Sequence, residues 1–212
     1  VPKTIEGDVL AELNEEVRAR LVAGMDAREL VAATENMDLD DLADLVADLP
    51  EAVTRQIIQS LSVQDQERLQ SVLAYPEDTA GGLMTLEFVT LVAGTTAGDA
   101  IAWLRRERPD QHAMSYVYVL DAEERLAGVL GLRELVLADP SQAVDAIMED
   151  DVVSVSADTD EEELGRLMTK YNLLAVPVVD DERRLLGIVT LDDALEAILP
   201  ADWKRRLPRL FR

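Results

Sequence analysis

Between Asn14 and Leu73 the chain repeats every twelve residues without an insertion, and that period decides what its first third can fold into. The blocks read NEEVRARLVAGM, DARELVAATENM, DLDDLADLVADL, PEAVTRQIIQSL and SVQDQERLQSVL. Each closes on a large apolar residue (Met25, Met37, Leu49, Leu61, Leu73). Four of the five carry another four positions earlier (Leu21, Leu45, Ile57, Leu69), with Ala33 the exception. Residues four apart share one helical face, so each block predicts a short amphipathic helix. Asn14, Asp26, Asp38 and Ser62 stand where N-caps belong, and Glu29, Asp41 and Asp65 follow the last three of them by three residues. Pro50 suits a first helical position. Helices this short are marginal alone and must stack to bury their apolar edges, which predicts a small helical superhelix of either hand.

A longer duplication follows. Met84, Phe88 to Leu91 and Thr95 align with Met148, Val152 to Val155 and Thr159 at an offset of 64 residues. Further on, VYVLDAEERLAGVLGLRE aligns with VPVVDDERRLLGIVTLDD at an offset of 59, so the first copy is longer by five residues around Arg105 to Ala113. Each copy reads as a short strand, an amphipathic helix (97–106; 161–171), two strands around a D-x-E turn, and a closing helix. The predicted class is therefore an all-α superhelical domain followed by a twice-repeated α+β unit.

Composition narrows the chemistry. A chain of 212 residues that is 48% hydrophobic can bury a real core. It has no Cys and a single His, His112, which removes disulfides, thiolate metal sites and Cys nucleophiles and leaves hard oxygen donors. A net charge of −23, from 43 acidic against 20 basic residues, repels nucleic acid and attracts cations. The longest apolar runs, such as Ala113 to Leu120, are strand-sized and far short of a bilayer span. Val1 is not an initiator Met and no signal-peptide pattern follows it, so the chain reads as a piece of something longer. No nucleophile stands beside a base and nothing matches a phosphate loop, so an enzyme is not expected.

The stretch AVPVVDDERRLLGIVTLDDAL resembles the end of a CBS (cystathionine-β-synthase-type) regulatory repeat. YPEDTAGGLMTLEFV, preceded by short acidic helices, resembles the junction in the cytosolic regions of MgtE-type magnesium channels. The resemblance runs from about residue 14 to 199. It implies an N-terminally truncated helical N domain over 1–74, a first CBS domain over 75–145, a second over 146–199, and a basic tail over 200–212. It further implies a cytoplasmic module at the inner face of the membrane, dimerised through its tandem CBS (Bateman) pair. Mg²⁺ bound between N domain, CBS pair and a connecting helix would hold the closed form of a membrane channel domain, present in cis or in trans.

The same resemblance points to ligands. LDDLAD matches an acidic helix of the N domain, with Asp40 and Asp44 one turn apart. DTDEEEL matches a loop-to-helix start from which Asp160 and Glu162 reach metal in relatives. LDDALE supplies Asp193 and, by position, Glu196, and Gly82 stands where relatives offer a backbone carbonyl. Mg²⁺ takes oxygen ligands and keeps much of its water, so one or two carboxylates per site suffice. In so acidic a chain solvated surface and helix caps are the competing reading for each of these residues.

Adenine nucleotide, ATP above all, is the second ligand implied. GIVTLDD fits the CBS signature with Thr190 for phosphate and Asp193 for ribose, whereas the first copy, GVLGLRE, has Gly131 and Glu134. Tyr116 and Arg133 match positions that stack on adenine and pair with phosphate. Leu173 replaces an aromatic residue of relatives, and Asp193 is claimed by both ligands. A buried strand-end Tyr and a solvated helix start remain the alternatives for Tyr116 and Arg133. The module then reads either as a Mg²⁺ sensor or as a nucleotide-sensing adaptor without channel activity. The tail PADWKRRLPRLFR departs from an acidic connecting helix; Pro200 and Pro208 oppose one long helix, and the segment reads like a natural chain end, as in a stand-alone relative. Finally, Gly81 and Gly82 in LAYPEDTAGGLMT fit a tight turn at the junction, with Glu77 and Asp78 as junction carboxylates.

Overall fold

The structure is a computed structural model that describes residues 9–10, 13, 15–22, 24–34, 37, 39–47, 49–109 and 114–198; within these, nothing is said of the side chains of 15, 16, 18, 19, 27, 40, 44, 47, 51, 64 and 67. Asn14, Asp38, His112 and the tail from residue 199 lie outside the described residues. Two compact units divide the chain after Pro76.

The first unit contains the five predicted helices, one per block: α1 (Glu15–Val22), α2 (Ala27–Thr34), α3 (Leu39–Ala47), α4 (Glu51–Ser60) and α5 (Val63–Val72). Asp26 closes a capping box: its Oδ1 accepts the Arg28 and Glu29 N–H groups, and its own N–H donates to Glu29 Oε2 at 2.8 Å. Ser62 accepts the Asp65 N–H in the same manner and donates to Asp65 Oδ2. Pro50 sits one residue earlier than expected, at the cap. Its backbone is extended there (ψ 136°) while its carbonyl accepts from Val53 and Thr54. A residue without an N–H loses nothing at either position.

Helix α2 packs on α4, and α3 on α5, so the helices stack two apart in sequence. The buried positions correct the expected face. Ala33, Leu45, Ile57 and Leu69 are core, but Leu21 is exposed, and the block-closing residues are half-buried or, for Leu73, exposed. The reason is that the closing residues lie past the helix ends. The N–H groups of Met25, Met37, Leu49 and Leu61 donate to carbonyls three residues back, on Val22, Thr34, Val46 and Ile58. They terminate helices rather than pack them.

The second unit, Glu77–Ile198, holds a short helix α6 (Ala80–Leu83) and two copies of one β-α-β-β-α pattern. The first copy comprises β1 (Val89–Val92), α7 (Ala97–Glu107), β2 (Val117–Leu120), β3 (Leu126–Leu130) and α8 (Leu132–Leu137). The second comprises β4 (Val155–Ser156), α9 (Glu161–Tyr171), β5 (Ala175–Val179), β6 (Leu185–Thr190) and α10 (Leu191–Ile198). In each sheet the first strand runs parallel to the second, as a crossover helix requires, and the second is antiparallel to the third. Matching positive-φ residues mark both copies: Arg108 and Asn172 end the first helices, and Glu124 and Arg183 lie in the D-x-E turns. Arg108 keeps the longer offset and Glu124 the shorter, so the five extra residues fall between Arg108 and Val117.

Each sheet has a helix side and a shared side. Val117 and Val119 of β2 join Val89, Leu91, Ala97, Ala100, Leu130, Leu135 and Val144 under the helices. Tyr118 and Leu126 instead meet Ala175 and Ile188 of the second copy, so the two sheets share one core. The leading segments are exchanged. Thr85, just before β1, trades hydrogen bonds with Ile188 of β6 at 2.8 and 3.0 Å, and Glu149, before β4, trades them with Val129 of β3 at 2.8 and 2.9 Å. Met84 thereby covers Gly187, and Met148 covers Gly128.

Candidate functional site

Both repeats bring their candidate residues to the end of the sheet where β2 and β5 begin and where β3 and β6 give way to helices. In the second repeat Ala175 pairs with Thr190, the last residue of β6. The Thr190 side chain is buried, and its hydroxyl bonds the carboxylates of both Asp192 (2.7 Å) and Asp193, while it weakly accepts the Asp193 N–H at 3.4 Å. This T-x-x-D is a helix cap as well as a signature, and Asp193 is held half-buried by it. In the first repeat Val117 pairs with Leu130, which puts Tyr116 and Gly131 together at the corresponding end. Gly131 offers no side-chain cap, and the Glu134 carboxylate lies so close that a Cβ on Gly131 would meet it at 2.6 Å. Arg133 is exposed beside it, 3.5 Å from Glu134.

The four nucleotide candidates thus fall into two sets, Tyr116 with Arg133 and Thr190 with Asp193. The two repeat ends meet in a long hydrogen bond: the Leu174 N–H, at the entrance to β5, donates to the Tyr116 hydroxyl at 3.4 Å. Leu174 was not singled out in the sequence, because its part is played by a backbone group. Its position beside Ala175, the counterpart of Tyr116 in the other repeat, is the only signal.

The metal candidates of the second unit sit on three elements, the carboxylates at α9 and on α10 and the Gly82 carbonyl on α6, and those of the first unit on one. The junction draws the former together. Ala80 and Gly81 donate to the carbonyls of Thr159 and Ala157, and Glu161 donates to Asp78 (2.7–3.2 Å), while α6 packs on β4, β6 and α10. Gly82, in a helix capped by Thr79, therefore neighbours the elements that carry Asp160 and Asp193. Asp160 caps α9 through the Glu163 N–H at 2.8 Å, and Glu162 pairs with Arg166 one turn on, at 2.7 Å. Glu196 is exposed, one turn from Asp193 on α10. Asp40 and Asp44 lie one turn apart on α3 of the first unit. Among the described residues no three His, Cys, Asp or Glu side chains converge on one point. The donor set is carboxylate and carbonyl oxygen, which suits a hydrated hard cation and not a thiolate or imidazole metal.

A stacked helical domain joined to two β-α-β-β-α repeats with shared sheets defines a regulatory module of the tandem CBS type. Residues 1–78 match the MgtE intracellular N domain and residues 144–200 the CBS domain. The chain is 39% identical over 201 residues to the magnesium transporter MgtE of Thermus thermophilus, covering 93% of this chain and 45% of that protein. Among solved structures, it is similar to the cytosolic domain of the Mg²⁺ channel MgtE in complex with ATP (TM-score 0.86, 40% identity, 93% of this chain and 81% of that one). It is also similar to the soluble part of a magnesium transporter (TM-score 0.84, 30% identity, 93% and 78%). The chain belongs to the MgtE family. It spans a little under half the length of the full transporter it matches, and no helix among the described residues is long and apolar enough to cross a membrane.

Proposed function

We propose that the chain is a cytosolic, non-enzymatic Mg²⁺-sensing module of a magnesium transporter or channel, in which Mg²⁺ held between acidic faces of the helical domain and the CBS pair favours a closed state. The observation that carries this reading is the continuous likeness across both domains to the cytosolic part of a Mg²⁺ channel, in a chain of net charge −23. Asp40, Asp44 and Asp193 are the principal ligands, with Asp160, Glu162, Glu196 and the Gly82 carbonyl around them. Asp160 has a second carboxylate oxygen beyond the one used as a cap, and the exposed Glu162–Arg166 pair is weak enough to yield to a divalent cation. The module works as a homodimer. Val136, Leu137 and Leu195, on the closing helices α8 and α10, are 66%, 70% and 44% exposed, an apolar surface suited to a second copy. A membrane channel domain, in cis or in trans, is the element it controls.

ATP is the second ligand of the same module, bound where the sheets end. This is favoured by the relative solved in complex with ATP and by the Tyr116–Leu174 contact that joins the two repeat ends. Titration calorimetry of the full chain with MgCl₂ and, separately, with ATP tests both. Heat with Mg²⁺ that is lost in Asp40→Asn/Asp44→Asn supports the sensor. Heat with ATP alone would establish the alternative, a nucleotide-sensing adaptor without channel activity.

A further inference from the structure

Thr190 closes β6 opposite Ala175, and its residue is only 4% exposed. Its hydroxyl nevertheless meets two carboxylates, that of Asp192 at 2.7 Å and that of Asp193. A hydroxyl has one proton to donate, so it can hold only one of them at a time. Asp193 has the stronger claim. It is half-buried and also gives its own N–H to the hydroxyl at 3.4 Å, whereas Asp192 is exposed and makes the single contact. Starting a helix does not demand this arrangement. Gly131 opens α8 at the equivalent position of the first repeat with no side-chain cap. The fold therefore gives no reason of its own for burying a hydroxyl here, a group that costs free energy unless it is bonded.

The neighbouring positions differ in the same sense. In the first repeat GLRE places Arg133 beside Glu134, 3.5 Å away, and the Glu134 carboxylate lies back over Gly131. In the second repeat TLDD has Asp192 at the place of Arg133 and Asp193 at the place of Glu134. One repeat thus serves its acid with a cation from its own chain. The other replaces that cation by a second acid and fixes the first with a hydroxyl on a β-branched, strand-end side chain that has little rotamer freedom.

We propose that Thr190 is a positioning residue for Mg²⁺: it does not touch the ion, and its hydroxyl holds the Asp193 carboxylate in the orientation in which Asp193 ligates. The inference rests on the metal half of the proposed function, where Asp193 is a ligand, and adds to it the group that orients that ligand. Hydrogen bonds to ligating carboxylates orient them and tune metal affinity. A carboxylate already held by a buried group also loses less side-chain freedom when the ion arrives, so more of the interaction appears as affinity.

The test is a calorimetric MgCl₂ titration of the full chain and of Thr190→Ser, Thr190→Val, Asp193→Asn and the Thr190→Val/Asp193→Asn pair, with metal-free thermal midpoints as a fold control. Thr190→Val is expected to weaken Mg²⁺ about fivefold to tenfold, the worth of one hydrogen bond, and Thr190→Ser to restore wild-type affinity. The double variant is expected to bind no more weakly than Asp193→Asn alone, because the hydroxyl acts only through that carboxylate. Wild-type affinity in Thr190→Val overturns the inference, and so does a further loss of the same size when Thr190→Val is added to Asp193→Asn, which a merely structural role would produce. Should Thr190→Val lower the midpoint enough to cloud its titration, Thr190→Ser decides: weakened Mg²⁺ binding at an unchanged midpoint would overturn the inference, since serine keeps the hydroxyl. If the wild-type chain takes up no Mg²⁺, or Asp193→Asn binds it as the wild type does, the metal reading of Asp193 fails and the inference falls with it.

Discussion

Gly128 and Gly187 hold the same place in the two repeats, but a methyl group added at each would strike different things. At Gly128 the three nearest atoms all belong to the Met148 side chain, which can swing away. At Gly187 the new carbon would lie 2.8 Å from Met84 and 2.9 Å from the Thr85 carbonyl oxygen, a backbone atom fixed by its bond to Ile188. Overpacking against an immovable neighbour costs about 1–3 kcal/mol. Gly187→Ala is therefore expected to lower the urea midpoint of the second unit clearly, and Gly128→Ala to lower it less; equal shifts would contradict the exchanged-segment geometry. Tyr118 supplies a pH dependence. Its folded pKa is raised by burial, with Tyr116 adding to the effect. Its ionisation therefore leaves stability unchanged below the unfolded value of about 10 and lowers it as pH rises above that value. Between pH 9 and 11 the wild-type thermal midpoint should fall more steeply than that of Tyr118→Phe.

At the scale of elements, the junction between helices and sheets is stitched to the second repeat, although it precedes the first. Ala80, Gly81 and Thr85 all donate to that repeat's backbone, and Glu161 returns a bond to Asp78. Gly81→Pro removes one of these donors and should loosen the strap as a unit; at about 1.4 kcal/mol the exchange rate of the Glu161 amide would rise roughly tenfold. Unchanged exchange at Glu161 would mean that the bonds act independently. In the helical unit Ser62 is the cap of a ten-residue helix. Ser62→Ala should cost about 1 kcal/mol, read as a lower midpoint of the helical signal. The helices and both repeats were legible in the sequence because twelve-residue and duplicated patterns record period and capping directly. Which member of each block is buried was not, since Met25 and its equivalents keep the apolar period while lying past the helix end. Nor was the exchange of Thr85 and Glu149, because hydrogen bonds between backbones leave no mark on side-chain type. The candidate site was legible to the same extent: Thr190 and Asp193 announce themselves as a motif, whereas Leu174 contributes a bare N–H.

For the whole molecule the governing quantity is the charge of −23. The ion pairs Arg106–Glu107, Arg133–Glu134 and Arg166–Glu162 are exposed and weak, and do little to offset it. Like charges on two domains repel by about a kcal/mol or more per close pair at an effective dielectric near 20. Monovalent salt screens that repulsion over about 10 Å at 0.1 M but does not tether carboxylates, whereas a divalent cation can ligate both sides at once. The expected outcome is a smaller radius of gyration by X-ray scattering in millimolar MgCl₂ than in KCl of equal ionic strength, with the difference lost in Asp40→Asn/Asp44→Asn/Asp193→Asn. Equal contraction in both salts would reduce the effect to screening and remove the sensor mechanism. Contraction in MgCl₂ that survives the triple variant would keep the mechanism and move the ligands to other carboxylates.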